Sequence, residues 1–459
     1  MKGGEDFAGV CDSLESLAGV NNTELLYPFF YAPQFEAGNG WHTFSVENEF
    51  RKFQSDDWRI SYVNNDFSIC ASYPKAVIVP KSVTNETLKS IASFRSLGRF
   101  PVLAYLHKST KAVLLRAGQP LVGNGNKRCK DDEKMINAIL GPGKRGYIID
   151  TRSANLAQVA KTKGGGFEPE AHYPLWRRIH RQICRHSMLL DSLQKLVEAC
   201  NETQCTMERW MKQVESSGWL NQVKEVLTTA CLVAQCMNEE AASVLVHGAD
   251  GVDSTLQVSS IAQVILDPDT RTIHGFEALV EREWLQAGHP FSLRCRNSAY
   301  SAGSKTKDQS PTFLLFLDCV FQIHNQYPCS FEFSEDFLVL LFRHAYASQF
   351  GTFLGNNVCH RTSLNLDKKT ISLWSYVNRP AIITEYLNST YEPNAGVIWP
   401  SVAPQSIILW ESLFLRWVVP MTATAEAHDA LSRLKTYESE LERKVIQMRK
   451  QLLENLPKN

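Results

Sequence analysis

Residues 242–267, ASVLVHGADGVDSTLQVSSIAQVILD, read as a buried strand, a tight loop and a helix. The run 243–246 is short and apolar, with strand character. Gly248 and Gly251 punctuate the loop that follows. Asp253, Ser254 and Thr255 offer side-chain oxygens suited to a helix N-cap. Leu256, Ile261, Val264 and Ile265 then recur at helical spacing, which predicts an amphipathic helix. Such a loop aims several backbone N–H groups at one point beside a helix N-terminus, which suits a phosphate. Taken alone, the stretch fits an ordinary strand–turn–helix unit equally well.

The nonapeptide HGADGVDST, 247–255, resembles the signature loop of the myotubularin phosphoinositide phosphatases. Active members carry His-Cys-Ser-Asp-Gly-Trp-Asp-Arg-Thr there. His247, Asp250, Gly251, Asp253 and Thr255 keep the pattern, whereas Gly248, Ala249, Val252 and Ser254 depart from it. The resemblance implies that the family nucleophile, a cysteine working as an activated thiolate, is replaced by a residue with no side chain, Gly248. The family arginine that clamps the phosphate is replaced by Ser254, which is neutral and short. Asp253 matches the family's general acid but has no covalent intermediate to serve. With no arginine to compensate, it is expected to repel phosphate.

Further matches spread outward from the loop. RTIHGFEALVEREWLQAGHPFSLRC, 271–295, is similar to a Gly-Phe…Leu…Glu-x-Glu-Trp…Gly-His-x-Phe stretch of active members. Glu281, Glu283 and His289 lie in it, but their spacing is not HExxH and cysteine-dependent phosphatases need no metal, so neither metal nor cofactor is expected. On the other side, 27–35, 58–80 and 94–123 resemble the opening of the family's catalytic domain. Within them, 99–105 and 112–116 read as two strands joined by a polar turn, and 147–150 as another buried strand. DTRSANLAQVAKTKGGGFE, 150–168, resembles a strand–loop segment ending in three glycines, Gly164 to Gly166, read as a flexible loop more readily than as a phosphate cradle. In 175–187, LWRRIHRQICRHS, active relatives have Asn-Ile-His where this chain has Arg178-Ile179-His180. Arg177, Arg178, Arg181 and Arg185 are candidates for contact with anionic lipid or phosphate, or else the charges of a solvated helix face. Helices are expected over most of 188–238, and two apolar helices around a Tyr-Pro turn in 313–356. The polar stretch 301–311 reads as a loop.

Both ends differ from this core. Phe7, Val10, Cys11, Leu14, Leu17 and Ala18 fall on one helical face, and the resemblance implies that residues 1–20 are the last helix of a largely absent lipid-binding domain of the PH-GRAM type. At the other end, 431–456 carries heptads: Leu431, Glu438, Val445 and Leu452 at a, and Leu434, Leu441 and Met448 at d. About three and a half heptads are too short to be stable alone, so a coiled coil over 425–459 needs a partner. Glu438 at an a position weakens a symmetric pair and favours a basic residue opposite.

Composition narrows the function further. Lys plus Arg equals Asp plus Glu, 48 each, so nothing suggests nucleic acid. The 12 cysteines form no CxxC pairs and read as reduced thiols of a cytosolic protein. No apolar leader is evident, and the longest apolar runs fall short of a membrane span of ~20 residues.

The expected fold is α/β, of the cysteine-dependent (tyrosine/dual-specificity type) phosphatase kind. It has a twisted central sheet flanked by helices over 21–420, the altered loop at a strand's C-terminal end, and a C-terminal coiled coil. The resemblance implies an inactive adaptor, cytoplasmic and peripheral on endomembranes. It would pair with active myotubularin-related phosphatases as a heterodimer, with a homodimer also open, and act with them on phosphatidylinositol 3-phosphate and 3,5-bisphosphate membranes. The alternatives are a stand-alone phosphoinositide-binding module and a hydrolase using Asp250 or Asp253 as nucleophile.

Overall fold

The computed structural model describes residues 25–53, 55–202, 205–295, 308–416 and 421–454. The expected helix within 1–20 and most of the polar loop at 301–311 lie outside them.

A five-stranded sheet carries the molecule. Its spatial order is β3 (Val102–Leu106), β4 (Val113–Ala117), β7 (Val244–His247), β5 (Gly146–Asp150) and β6 (Trp176–His180). β3 and β4 form the expected hairpin, and the remaining neighbours are parallel. A small antiparallel pair, β1 (Trp58–Ser61) with β2 (Val77–Pro80), forms a second sheet. β7 enters last and slots between β4 and β5, so His247 lies opposite Ala117 on one side and Asp150 on the other. The loop after His247 therefore opens between two parallel neighbours at their C-terminal ends, where open α/β sheets form crevices.

Every residue of β7 is buried, as expected of a parallel strand covered on both faces. Val244 and Val246 join the larger core, while Leu245 faces a second one with Trp58, Ile136 and Trp176. The larger core is built by helices. They are α1 (His186–Asn201), α2 (Met207–Ser217), α3 (Trp219–Asn238), α4 (Ser254–Leu266), α5 (Ile273–Val280), α6 (Thr312–Gln326) and α7 (Glu335–Tyr346). Gly218, left-handed at φ 73°, ends α2 and starts α3, a conformation that costs glycine least.

Helix α4 corrects the reading of an amphipathic helix. All residues from Thr255 to Leu266 are buried, because α3 and α6 pack against it as well as the sheet. Apart from Thr255, its buried polar side chains are bonded within the protein. Gln257 Nε2 donates to the Thr312 carbonyl at 2.9 Å, Ser259 Oγ to Glu283 Oε2 at 3.0 Å, and Ser260 Oγ to the Leu256 carbonyl at 2.6 Å. Each buried aliphatic such as Leu256, Ile261, Val264 or Ile265 contributes roughly 1.5–3 kcal/mol. The expected side-chain N-cap is also absent: Asp253 caps α4 by position only, its carboxylate being held elsewhere.

The segment following α7 wraps over the core. Trp410 stacks on Phe321 with centroids 4.8 Å apart, and Trp374 Nε1 donates to Glu281 Oε1 at 2.8 Å. The described residues end in α8 (Met421–Glu454). Its heptad side chains Leu431, Leu434, Leu441, Val445 and Met448 are exposed, from 43% at Leu441 to 65% at Leu434. The Leu452 side chain lies outside the described set. Among the described residues, no helix is long and apolar enough to cross a membrane.

Candidate functional site

The loop 247–255 is anchored at its root by a buried ion network. His247, fully buried, meets Glu168 through Nε2 at 3.0 Å. Glu168 accepts from Arg95 Nη1 at 2.7 Å. Arg95 in turn grips Asp132 with Nε and Nη2 at 2.7 and 2.6 Å, and Tyr173 donates to the same carboxylate at 2.8 Å. Burial pushes Glu168 upward, but His247 and Arg95 outweigh it and hold the carboxyl well below its usual range. The network ties the loop to three separate parts of the chain.

Further along, four successive loop residues have fixed partners. The Gln119 N–H donates to the Ala249 carbonyl at 3.0 Å. Ser96 Oγ donates to Asp250 Oδ1 at 2.9 Å, and Arg99 Nη2 to the Gly251 carbonyl at 2.8 Å. His289 Nδ1 bonds the Val252 carbonyl at 2.8 Å, and burial pushes that imidazole down to about 4. It is therefore neutral near pH 7, with its proton on Nδ1. Gly251 has φ 74°, and a Cβ there would stand 2.5 Å from the Ala117 carbonyl oxygen, so only glycine fits without a shift.

Asp253 is not the uncompensated charge that the sequence suggests. Arg294 forks onto it, Nε to Oδ1 at 3.1 Å and Nη2 to Oδ2 at 2.8 Å. His289 and His186 flank it at 3.5 and 3.6 Å. Burial raises its carboxyl, but the Arg294 hydrogen bonds and charge prevail and set it below the ordinary value. It is an acceptor with no proton to give near neutral pH. Nothing in the sequence spacing pointed to Arg294, which reaches back 41 positions.

At the base of the loop three hydroxyls surround Gly248. Thr151 Oγ1 and Ser254 Oγ are hydrogen-bonded at 2.7 Å. Thr255 Oγ1 is buried and has no hydrogen-bond partner. The loop presents neither a thiol nor a guanidinium, since positions 248 and 254 hold glycine and serine.

The basic run takes a different form from the helix face considered above. Trp176–His180 is the edge strand β6, so the arginines diverge. Arg177 is exposed, whereas Arg178 lies 4.2 Å over the Phe167 ring and bonds the Glu168 carbonyl. Arg181 is half-buried, and Arg185 is exposed at the start of α1. The triple glycine is a loop, with Gly165 pressed against Gln119 and Gly164 and Gly166 at positive φ. Arg152, beside it, forks onto Asp150 at 2.8 and 2.7 Å. Glu281, Glu283 and His289 do not converge. They serve Trp374, Arg116 and Val252 respectively, and no cluster fit for a metal occurs among the described residues. Thr151, Glu168 and Arg294 are the site residues that sequence reasoning passed over.

The family model described as "Myotubularin-like phosphatase domain" matches residues 26–362. The chain is 58% identical to "Myotubularin-related protein 9" of Mus musculus, over 99% of the chain and 84% of that relative. It is 46% identical to "Myotubularin-related protein 9" of Caenorhabditis elegans, over 96% of the chain and 80% of the relative. It is 36% identical to "Phosphatidylinositol-3,5-bisphosphate 3-phosphatase MTMR2" of Bos taurus, over 93% of the chain and 66% of the relative.

Proposed function

Because this chain belongs to the myotubularin-like phosphatase family, we propose that it is a catalytically silent member that regulates active ones. The observation carrying the reading is the loop itself. It opens at the C-terminal end of β7 between two parallel strands, and there position 248 has no side chain and position 254 has a neutral one. No thiolate can attack phosphorus and no guanidinium can steady the charge that develops. Asp253, ionised and forked by Arg294, has no proton for a leaving group and no freedom to act as nucleophile.

The partner is an active myotubularin-related phosphatase, taken through the exposed heptad face of α8, with Leu431, Leu434, Leu441, Val445 and Met448 at the seam and Leu452 at the next a position of the sequence pattern. A heterodimer suits Glu438 at an a position better than a symmetric pair. The joint substrates are phosphatidylinositol 3-phosphate and phosphatidylinositol 3,5-bisphosphate on cytoplasmic endomembranes. A second protomer adds a second membrane contact, and Arg177 and Arg185, both exposed, are the cations for it.

The experiment is a titration of this protein into a purified active relative on phosphatidylinositol 3-phosphate liposomes, with and without residues 425–459. Stimulation that needs the tail is expected. Folded protein that changes nothing in either form would overturn the reading. Liposome sedimentation of the isolated protein then decides whether it acts as a lipid-binding module by itself.

A further inference from the structure

Gly248 is enclosed rather than open. An ideal Cβ built on it stands 2.7 Å from Thr151 Oγ1, 3.3 Å from Ser254 Oγ and 3.4 Å from Thr255 Oγ1. The first distance is closer than Cβ atoms come to oxygen, so a side chain at 248 requires Thr151 to move. Thr151 is poorly placed to do so. It is 2% exposed and directly follows β5. Its backbone N–H donates to the His247 carbonyl at 2.9 Å, and its carbonyl accepts from Ile183 at 3.0 Å. Its β-branched side chain has few χ1 choices, and turning it breaks the 2.7 Å bond to Ser254. Thr255 Oγ1, buried and unpartnered, faces the same point, so its donor has nothing to bond where a side-chain acceptor at 248 would stand.

We propose that Thr151 is a third lock on this loop, a positioning residue whose hydroxyl, held by Ser254, fills the place a nucleophile at position 248 needs. Loss of chemistry is therefore written at three positions, 151, 248 and 254, and a side chain restored at 248 alone leaves the loop blocked. The Thr151–Ser254 bond also ties the loop to the end of β5 without any ligand. The functional meaning rests on the reading of the loop as catalytically silent; the geometry does not depend on any partner.

The test is a double-mutant cycle on the full chain. Gly248→Ala is introduced in the parent, in Thr151→Ala and in Thr151→Val, and the unfolding midpoint is measured for all six proteins. In the parent and in the Thr151→Val background, where bulk remains, the added methyl lowers the midpoint by several degrees. In the Thr151→Ala background that cost largely disappears. A merely structural role for Thr151 gives additive effects instead. Equal costs in all three backgrounds overturn the proposal.

A second arm reads chemistry. Gly248→Cys is compared with Gly248→Cys/Thr151→Ala, Ser254 being kept in both, following alkylation of the thiol at position 248 by iodoacetamide. The variant lacking the Thr151 hydroxyl alkylates about tenfold faster. Equal rates would sink the lock. Failure of this protein to stimulate an active relative leaves both arms untouched, so the two readings fail separately.

Discussion

Glu168 and Glu277 are two buried carboxyls that opposite environments drive apart. Glu168 sits between Arg95 and His247, which hold it below its usual range despite burial. Glu277 has burial against it, a hydrogen bond from Asn378 at 3.0 Å in its favour, and Glu281 nearby, and is pushed up to about 8. The consequences for stability have opposite signs. Glu168 contributes fully above the ordinary value of 4.5, and its contribution is lost as pH falls through its lower folded value. Glu277 contributes fully below 4.5 and loses that contribution as pH rises through about 8. We predict that Glu168→Gln costs about 3 kcal/mol at pH 7, the low end for breaking a buried ion pair because Asp132 still faces Arg95. A urea midpoint unchanged by that substitution would refute it. Glu277→Gln should raise the midpoint at pH 8 relative to the parent and leave the two alike at pH 4.5 or below. A constant difference across that range would exclude the assignment.

Among the elements, α8 and α4 show what periodicity does and does not reveal. The heptads of 431–456 predict a helix with one apolar seam, and α8 presents that seam to solvent. Its exposure separates binding from stability. Leu434→Glu with Leu441→Glu should abolish co-purification with an active relative while leaving the unfolding of the α/β domain within a degree or so, since exposed substitutions typically cost under about 0.5 kcal/mol. Co-purification that survives both substitutions would place the contact elsewhere. Helix α4 has the opposite lesson. Gln257, Ser259, Ser260 and Gln263 read as a polar face, yet all four are buried, bonded to Thr312, Glu283 and the helix's own carbonyls. Periodicity registers polarity, whereas burial depends on whether a neighbouring element supplies the missing bonds.

At the scale of the whole molecule, the chain closes on itself across 335 positions. The Gly40 N–H donates to Ser375 Oγ at 3.0 Å, and Ser375 Oγ donates to the Gly38 carbonyl at 2.7 Å. Trp41 Nε1 reaches the Thr370 carbonyl at 3.0 Å. A Cβ at Gly40 would stand 2.5 Å from Ser375 N, a backbone atom that cannot swing aside. Gly40→Ala should therefore cost about 1–3 kcal/mol, as overpacking does, and speed proteolytic cleavage in residues 25–45. Cleavage as slow as in the parent would show that the clasp does not hold this segment.

The sequence by itself determined a central sheet flanked by helices, the hairpin of β3 and β4, the strand–loop–helix at 242–267, the helices of 188–238 and the heptads of 431–456. These are local matters of side-chain period and of turn residues such as Gly248 and Gly251. Only the tertiary structure decided the environment of the loop. Arg294 neutralises Asp253 from 41 positions away, Glu168 holds His247 from 79, and Thr151 meets Ser254 from 103. The first half of the basic run, Arg177 and Arg178, became part of an edge strand because β5 offered it a parallel partner. Charge pairing and hydroxyl contacts act over a few ångströms in space, and no spacing along the chain encodes which distant residues the sheet order brings within that reach.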